Sequence, residues 1–209
     1  MSARSGKSQS QVKLSKALSW LLRHNAESEG FTLQEGGFLP VADILKHRRF
    51  TGFTIADVES VVQNCEKQRF GTKMGDDGRL LIRANQGHSI KAVEVELEEI
   101  VAADDIPKVI HGTYLKAWDL IKSSGLSKMK RNHIHFAAGE PGDQGVISGM
   151  RSSAQVFIYV DTEKAMADGI KFYKSANNVI LSPGNREGVL LPQYFKTVKN
   201  IKTGQVMNY

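Results

Sequence analysis

Apolar residues recur at helical spacing early in the chain. Leu14, Ala17, Leu18, Leu21 and Leu22 share one face, with Ser15, Lys16 and Ser19 on others, as in an amphipathic helix. The pattern runs into Arg23-His24-Asn25, where the negative end of the helix dipole accounts for both cations as ordinary capping. Gly36-Gly37 interrupts the chain, and Pro40 suits the first turn of a second helix over Val41 to His47. Thr54 is placed to cap a third, with Ile55, Val58, Val61, Val62 and Cys65 on one face. The period then shortens. Arg69 to Met74 and Arg79 to Arg83 flank Gly75-Asp76-Asp77-Gly78, which predicts a β-hairpin. Three helices followed by a hairpin is the order of a winged helix, a fold that commonly reads nucleic acid. Arg69, Lys73, Arg79 and Arg83 give this hairpin the charge that a phosphate backbone attracts.

Beyond the hairpin, Val93, Val95 and Leu97 alternate with Glu94, Glu96 and Glu98, as a strand or an acidic linker would. From Ile106 onward the pattern is one of short elements. Val109 to Thr113 ends a strand in a tight turn. Tyr114, Ala117, Trp118 and Ile121 form the buried face of a helix that Gly125 closes. Arg131 to Phe136 reads as a strand with His133 and His135 on one face. Gly139 to Gly145 is a loop, Val156 to Val160 a buried strand, Glu163 to Met166 a helical turn and Asn178 to Leu181 another strand. Many short strands with few helices predict an α+β, mainly antiparallel domain. The organisation expected is a disordered arm over 1–11, a winged-helix RNA-binding lobe over 12–91, a linker over 92–105 and a second lobe over 106–209.

Composition narrows the partners. The 209 residues carry a net charge of +6 and a sequence pI near 9.4, with the acidic residues gathered between Glu94 and Asp105. A polyanion is the expected partner, nucleic acid before membrane. No apolar run approaches the length of about 20 residues that spans a bilayer, and Met1 to Gln11 has no apolar core of a secretory signal. Cys65 is the only cysteine, which fits a reducing compartment and reads as a buried core thiol.

No nucleotide-binding fingerprint such as G-x-G-x-x-G is present. His133-x-His135 lacks the further ligands of a zinc set, so no metal is expected. The densest polar stretch is Arg83-Ala-Asn85-Gln-Gly-His88-Ser89, with Gly87 free to take a positive φ. Arg23, His24, Arg83, His88, Arg131 and Arg151 have positive charge or hydrogen-bond donation in common. That set suits a phosphate dianion, because the guanidinium fork matches phosphate oxygens two at a time; scattered surface cations are the other reading of the same residues.

Six motifs carry a family resemblance. They are Leu18-x-x-Leu21-Leu22-Arg23-His24, Arg83 to Ser89, His111-Gly112-Thr113, Asn132 to Phe136, Val146 to Arg151 and Ser175-Ala-Asn-x-Val-Ile-Leu181. In that order they resemble the NAD-dependent tRNA 2′-phosphotransferases, over about Leu14 to Phe195. The resemblance implies a winged-helix RNA lobe joined to an ADP-ribosyltransferase-like NAD lobe, with NAD as co-substrate. It implies removal of an internal RNA 2′-phosphate left at a tRNA splice junction. The phosphate attacks C1″ of NAD and expels nicotinamide. In the resulting 2′-phospho-ADP-ribosylated RNA the ribose O2″ then attacks phosphorus, giving 2′-hydroxyl RNA and ADP-ribose 1″,2″-cyclic phosphate. The family's essential set maps onto Arg23, His24, Arg83 and Arg151. His111, Gly112 and Thr113 match its NAD-contacting turn, and Arg131, His133 and Gly149 flank the same motifs. Arg69, Lys73, Arg79, Asn85, His88 and Ser89 are the expected RNA contacts. No counterpart of the glutamate typical of other ADP-ribosyltransferases is evident, which fits a phosphate that is already an anionic nucleophile.

The expected protein is thus a monomeric enzyme of cytoplasm or nucleus that takes RNA and NAD and no membrane. Two other readings use the same residues. One is an ADP-ribosyltransferase acting on phosphorylated nucleic-acid ends, and the other is a non-catalytic winged-helix nucleic-acid binder.

Overall fold

The computed structural model describes residues 8–91, 93, 96–147 and 149–209. The chain divides into two compact units, residues 1–95 and 96–209. Both combine helices with antiparallel sheet, so the fold is α+β.

In the first unit, α1 spans Gln9–Trp20 and starts at Ser8, whose hydroxyl accepts from Gln11 N while the Gln11 side chain returns to the Ser8 backbone. Leu14, Ala17 and Leu18 face inward. The helix does not stop where the leucine pattern ends. It widens into a π-helical turn over Leu21–Asn25. β1 (Leu39–Pro40) leads into α2 (Val41–Lys46), and Pro40 is the cap residue of that helix rather than part of its first turn. His47 leaves the helix and opens a 3-10 turn, Arg48–Phe50. α3 (Ile55–Gln63) begins at a capping box between Thr54 and Asp57. Ile55 faces solvent, while Val58, Val61 and Cys65 are buried. β2 (Phe70–Met74) and β3 (Leu80–Ala84) form the predicted hairpin, with Phe70 opposite Ala84 and Met74 opposite Leu80. β1 adds to its other edge, giving the order β1-β3-β2. Leu14, Leu18, Leu21, Leu22, Ile44, Phe50, Val58 and Ile82 make one core.

In the second unit seven antiparallel strands run in the order β12-β8-β5-β7-β10-β9-β4. They are β4 (Glu98–Ile100), β5 (Ile110–Thr113), β7 (Ile134–Ala137), β8 (Val156–Val160), β9 (Phe172–Lys174), β10 (Val179–Ser182) and β12 (Phe195–Asn200). A separate pair joins β6 (Leu126–Ser127) to β11 (Val189–Leu190). α4 (Leu115–Ser124) buries Trp118, whose indole meets the rings of Phe195 and Tyr209, and α5 (Thr162–Ala167) packs Ala165 into the same core.

The acidic stretch resolves the choice between strand and linker over part of its length. Glu98–Ile100 is the edge strand of the large sheet, paired with β9. Glu98 and Glu99 meet Lys174 and Lys171 there, and an edge strand lined with charge resists pairing with other chains. Ala92, Glu94 and Val95 lie outside the described residues.

Candidate active site

The π-turn carries the first two candidate residues. One extra residue per turn shifts Arg23 and His24 off the α-helical stripe, and Asn25 Nδ2 holds the turn by donating to the Trp20 carbonyl at 3.0 Å. Ser89 fastens this turn twice. Its N–H donates to the Arg23 carbonyl at 2.9 Å, and its Oγ lies 2.9 Å from His24 Nδ1. With the hydroxyl donating to Nδ1, the ring proton of exposed His24 sits on Nε2 and can be offered to a phosphate oxygen.

The Arg23 guanidinium rests on Gly87. A Cβ at that position would stand 3.4 Å from Arg23 Cζ, Nε and Nη1, and the backbone there has φ +90°. Arg83, on β3, lies in a comparable slot. Its Nη1 is 3.1 Å from where a Gly36 side chain would begin and its Nε 3.7 Å from the same point on Gly71. The Phe38 ring faces two cations, Arg83 Cζ at 4.8 Å and Lys73 Nζ at 4.4 Å.

The other residues of the polar stretch are placed differently. Asn85 is buried, donating from Nδ2 to the Gln68 carbonyl at 2.7 Å and from its backbone to the Arg69 carbonyl at 2.9 Å. His88 is also buried, with Nε2 3.8 Å from the Cβ position of Gly37. The bonds of Asn85 fix the segment just beyond Arg83. Arg69 directs Nη1 to Cys65 Sγ, and Arg79 is engaged by Asp77 at 2.6 Å and Asp43 at 3.2 Å. Of the hairpin cations, Lys73 and Arg83 are the pair that meet at Phe38.

The second unit holds the remaining candidates. On β5, His111 Nδ1 lies 2.9 Å from the His135 carbonyl. A carbonyl only accepts, so Nδ1 carries the proton and Nε2 is the acceptor. Burial pushes the His111 pKa down and the charge of Arg131 adds to this, against the pull of the carbonyl. Its ring is edge-on to Phe136 at 5.9 Å. Gly112 lets the loop bearing Arg151 lie flat on the strand, since a Cβ would come within 2.9 Å of Met150 Cβ and 3.0 Å of Ala154 Cβ. Buried Thr113 accepts from Gln155 N–H at 2.8 Å.

Tyr114 starts α4 instead of joining its buried face. Its hydroxyl accepts from Arg151 Nη1 at 3.4 Å and lies 2.9 Å from Ser153 Oγ. The Arg151 bond, then that of Ser153, hold the phenol below its ordinary pKa. Arg131 reaches the surface, yet the protein around it and the charge of Arg151 lower its pKa as well. The charged group acting on His111 is Arg131, and the one acting on Arg131 is Arg151. His133 meets the Tyr173 ring at 6.1 Å, and burial lowers its pKa. Gly149 presses on β7, where a Cβ would be 2.5 Å from Ala137 Cα. Among the described residues no group of three or more His, Cys, Asp or Glu is placed to hold a metal ion, and no helix is long and apolar enough to cross a membrane.

The family model described as RNA 2′-phosphotransferase, Tpt1 / KptA family, matches residues 9–184. The chain belongs to this family. It is 48% identical over 194 residues to tRNA 2′-phosphotransferase 1 of Danio rerio, covering 91% of this chain and 86% of that protein. It is 47% identical over 193 residues to tRNA 2′-phosphotransferase 1 of Homo sapiens, covering 91% and 76%. With the tRNA 2′-phosphotransferase of Saccharomyces cerevisiae it shares 40% identity over 184 residues, covering 84% and 80%.

A member of the RNA 2′-phosphotransferase family is a transferase of RNA processing, and the cationic geometry of both units is in keeping with that chemistry. Arg23, His24, Arg83 and Ser89 occur together on the first unit, and His111 to Thr113, Arg131 and Arg151 on the second. Tyr114 is the residue that sequence reasoning misassigned. Its adjacency to His111-Gly-Thr113 was the available signal, masked by helical spacing to Ala117 and Trp118.

Proposed function

We propose that this RNA 2′-phosphotransferase removes the 2′-phosphate left at a tRNA splice junction and uses NAD as its second substrate. On this reading the first unit is a winged-helix RNA lobe and the second an ADP-ribosyltransferase-like lobe for NAD. The observation that carries it is the pair of cationic sets. One is fastened by Ser89 and by glycine slots at Gly36, Gly71 and Gly87. The other is built of His111, Arg131, Tyr114 and Arg151.

Arg23 and Arg83 are assigned to the RNA 2′-phosphate, and His24 offers Nε2–H to it. Guanidinium groups keep the phosphate ionised and therefore nucleophilic. A phosphate oxygen forms a bond to C1″ while the C1″–nitrogen bond breaks and nicotinamide leaves with the electron pair. O2″ then loses its proton and bonds to phosphorus. The RNA 2′-oxygen departs and takes up a proton, leaving ADP-ribose 1″,2″-cyclic phosphate. Cations fixed beforehand stabilise the charge that builds on phosphorus during this second step. Arg131 and Arg151 suit the pyrophosphate of NAD and the anionic groups of the reaction. Their neighbour His111, kept neutral, presents Nε2 as an acceptor for a ribose hydroxyl or the nicotinamide amide.

The test is product analysis with NAD and an RNA bearing one internal 2′-phosphate, with and without Arg83→Ala. Loss of the phosphate with appearance of the cyclic phosphate, both abolished by Arg83→Ala, is the expected result. Accumulated ADP-ribosylated RNA would mean that the protein stops after the first step. RNA binding without NAD consumption would sink the enzymatic reading.

A further inference from the structure

We propose a second RNA contact, formed by the outer face of α1 and the arginine turn at Arg48–Phe50, that seats the substrate's sugar–phosphate chain beyond the phosphorylated nucleotide. It rests on the RNA substrate proposed above. Lys13, Lys16 and Trp20 follow one another at i, i+3 and i+7, flanking the core face of Leu14, Ala17 and Leu18, with Trp20 partly buried against that core. Both lysines are exposed, as are Arg48 and Arg49. Among the described residues none of these four cations forms an ion pair.

The Arg49 guanidinium lies 3.8 Å over the Trp20 ring. Arg49 is exposed, so the stacked pair offers a plate on which an unstacked base can rest. The turn that holds this plate is itself fixed. His47 Nδ1 accepts from Arg49 N–H at 3.2 Å, so its proton is on Nε2, which donates to Glu29 Oε2 at 2.8 Å. The His47 ring packs against Phe31 and Phe50. Between the turn and the helix lies a hollow of about 380 Å³, lined by Lys13, Trp20, Glu29, His47, Arg48 and Arg49. It carries three cations and one carboxylate, and that carboxylate already accepts from His47.

Position selects RNA over an acidic protein as the occupant. His24 follows Trp20 by four residues, about 6 Å along the helix axis, and Lys13 lies about 16 Å from it on the same scale. A strand held at His24 by its 2′-phosphate meets the Trp20–Arg49 plate next and the lysines after it. A short substrate ends before reaching them. The inferred consequence is discrimination by length: the surface favours a long, folded RNA over a fragment.

The experiment uses the full chain, saturating NAD and two substrates, a tRNA and a trinucleotide, each with one internal 2′-phosphate. In Arg48→Ala/Arg49→Ala the KM for the tRNA should rise about tenfold with kcat unchanged, while the trinucleotide's KM moves less than twofold. Binding of tRNA without a 2′-phosphate should weaken, and its slope against log salt should flatten by about 1.5 to 2 for two lost phosphate contacts. Lys13→Ala/Lys16→Ala, which leaves the arginine turn intact, should act in the same direction. Unchanged tRNA KM and salt slope in both double variants would overturn the proposal. Equal losses on both substrates would also overturn it, since they would place these residues at the chemistry. If the wild-type protein transferred no phosphate from either RNA, the function proposed above would fail. The salt-dependent tRNA binding would then still decide this inference, with unchanged binding in both variants overturning it.

Discussion

Gly87→Ala isolates the support of Arg23. Two effects are superimposed at this position, and the structure separates them. The backbone has φ +90°, where an L-residue costs about 1–2 kcal/mol. The added Cβ also stands 3.4 Å from three atoms of the Arg23 guanidinium, the inner edge of ordinary contact. Gly30→Ala in the same unit supplies the control, because φ is +83° there and nothing lies within 4 Å of the new Cβ. Both variants should lower the unfolding midpoint by a similar amount, roughly 4–8 °C for each kcal/mol in a unit of this size. Only Gly87→Ala should lose activity. A charge-assisted hydrogen bond is worth about 1.5–3 kcal/mol, so an Arg23 displaced from the phosphate lowers the single-turnover rate by about 10- to 100-fold. The assays are thermal unfolding by circular dichroism and single-turnover release of 2′-phosphate from RNA. Equal activity in the two alanine variants would refute the view that Gly87 positions Arg23. An unchanged midpoint in both would refute the assignment of strain.

Arg151 should set the titration of Tyr114. The Arg151 bond holds the phenol below its usual range, so Arg151→Ala should move one tyrosine transition upward in an absorbance titration, and Tyr114→Phe should remove that transition. A titration identical to wild type in Arg151→Ala would break the pairing. His111 gives a pH dependence of the opposite kind from a paired cation. Burial lowers its pKa below the ordinary 6.5, so the folded second unit binds fewer protons than the unfolded chain, and stability present above pH 6.5 is lost as pH falls toward the folded value. The groups facing His111 are the His135 carbonyl, the Phe136 ring and Arg131. His111→Gln should flatten the fall in unfolding midpoint between pH 7.5 and pH 5.5, and an undiminished fall would assign the acid sensitivity elsewhere.

How much of this was legible in the sequence depended on the range of the interaction. The three helices and the hairpin of the first unit were readable because each is signalled locally, by the leucine spacing of α1, the Thr54 cap of α3 and the Asp-Gly turn between β2 and β3. Strands of the second unit with continuous apolar runs, such as Val156–Val160, were readable for the same reason. β6, β9 and β11 were not, because two or three residues carry no period, and β12 alternates too weakly through Lys196 and Lys199 to stand out. The acidic alternation up to Glu98 left strand and linker equally open, since the lysines that meet Glu98 and Glu99 are more than seventy residues away.

The site followed a similar rule, with one inversion. The residues of the candidate site were visible as motifs, whereas what holds them was not. Nothing at Gly36 or Gly71 announces that a guanidinium from β3 will pass beside it, and no helical period reveals that the turn bearing Arg23 and His24 has five residues instead of four. The polar run from Arg83 to Ser89 looked like an exposed ligand-binding loop because polarity is the usual sign of exposure. Here Asn85, Gln86 and His88 are buried. Polar groups are taken inside only when they are bonded there, as Asn85 is to the Gln68 carbonyl and the Arg69 backbone lies beside it. The run therefore works as a buried strap that meets the candidate phosphate site at Arg83, at Gly87 beneath Arg23, and at Ser89. A site that must hold like charges together needs such a strap. Ser89 supplies the far end of that strap, holding the Arg23 carbonyl with its N–H and the His24 ring with its hydroxyl.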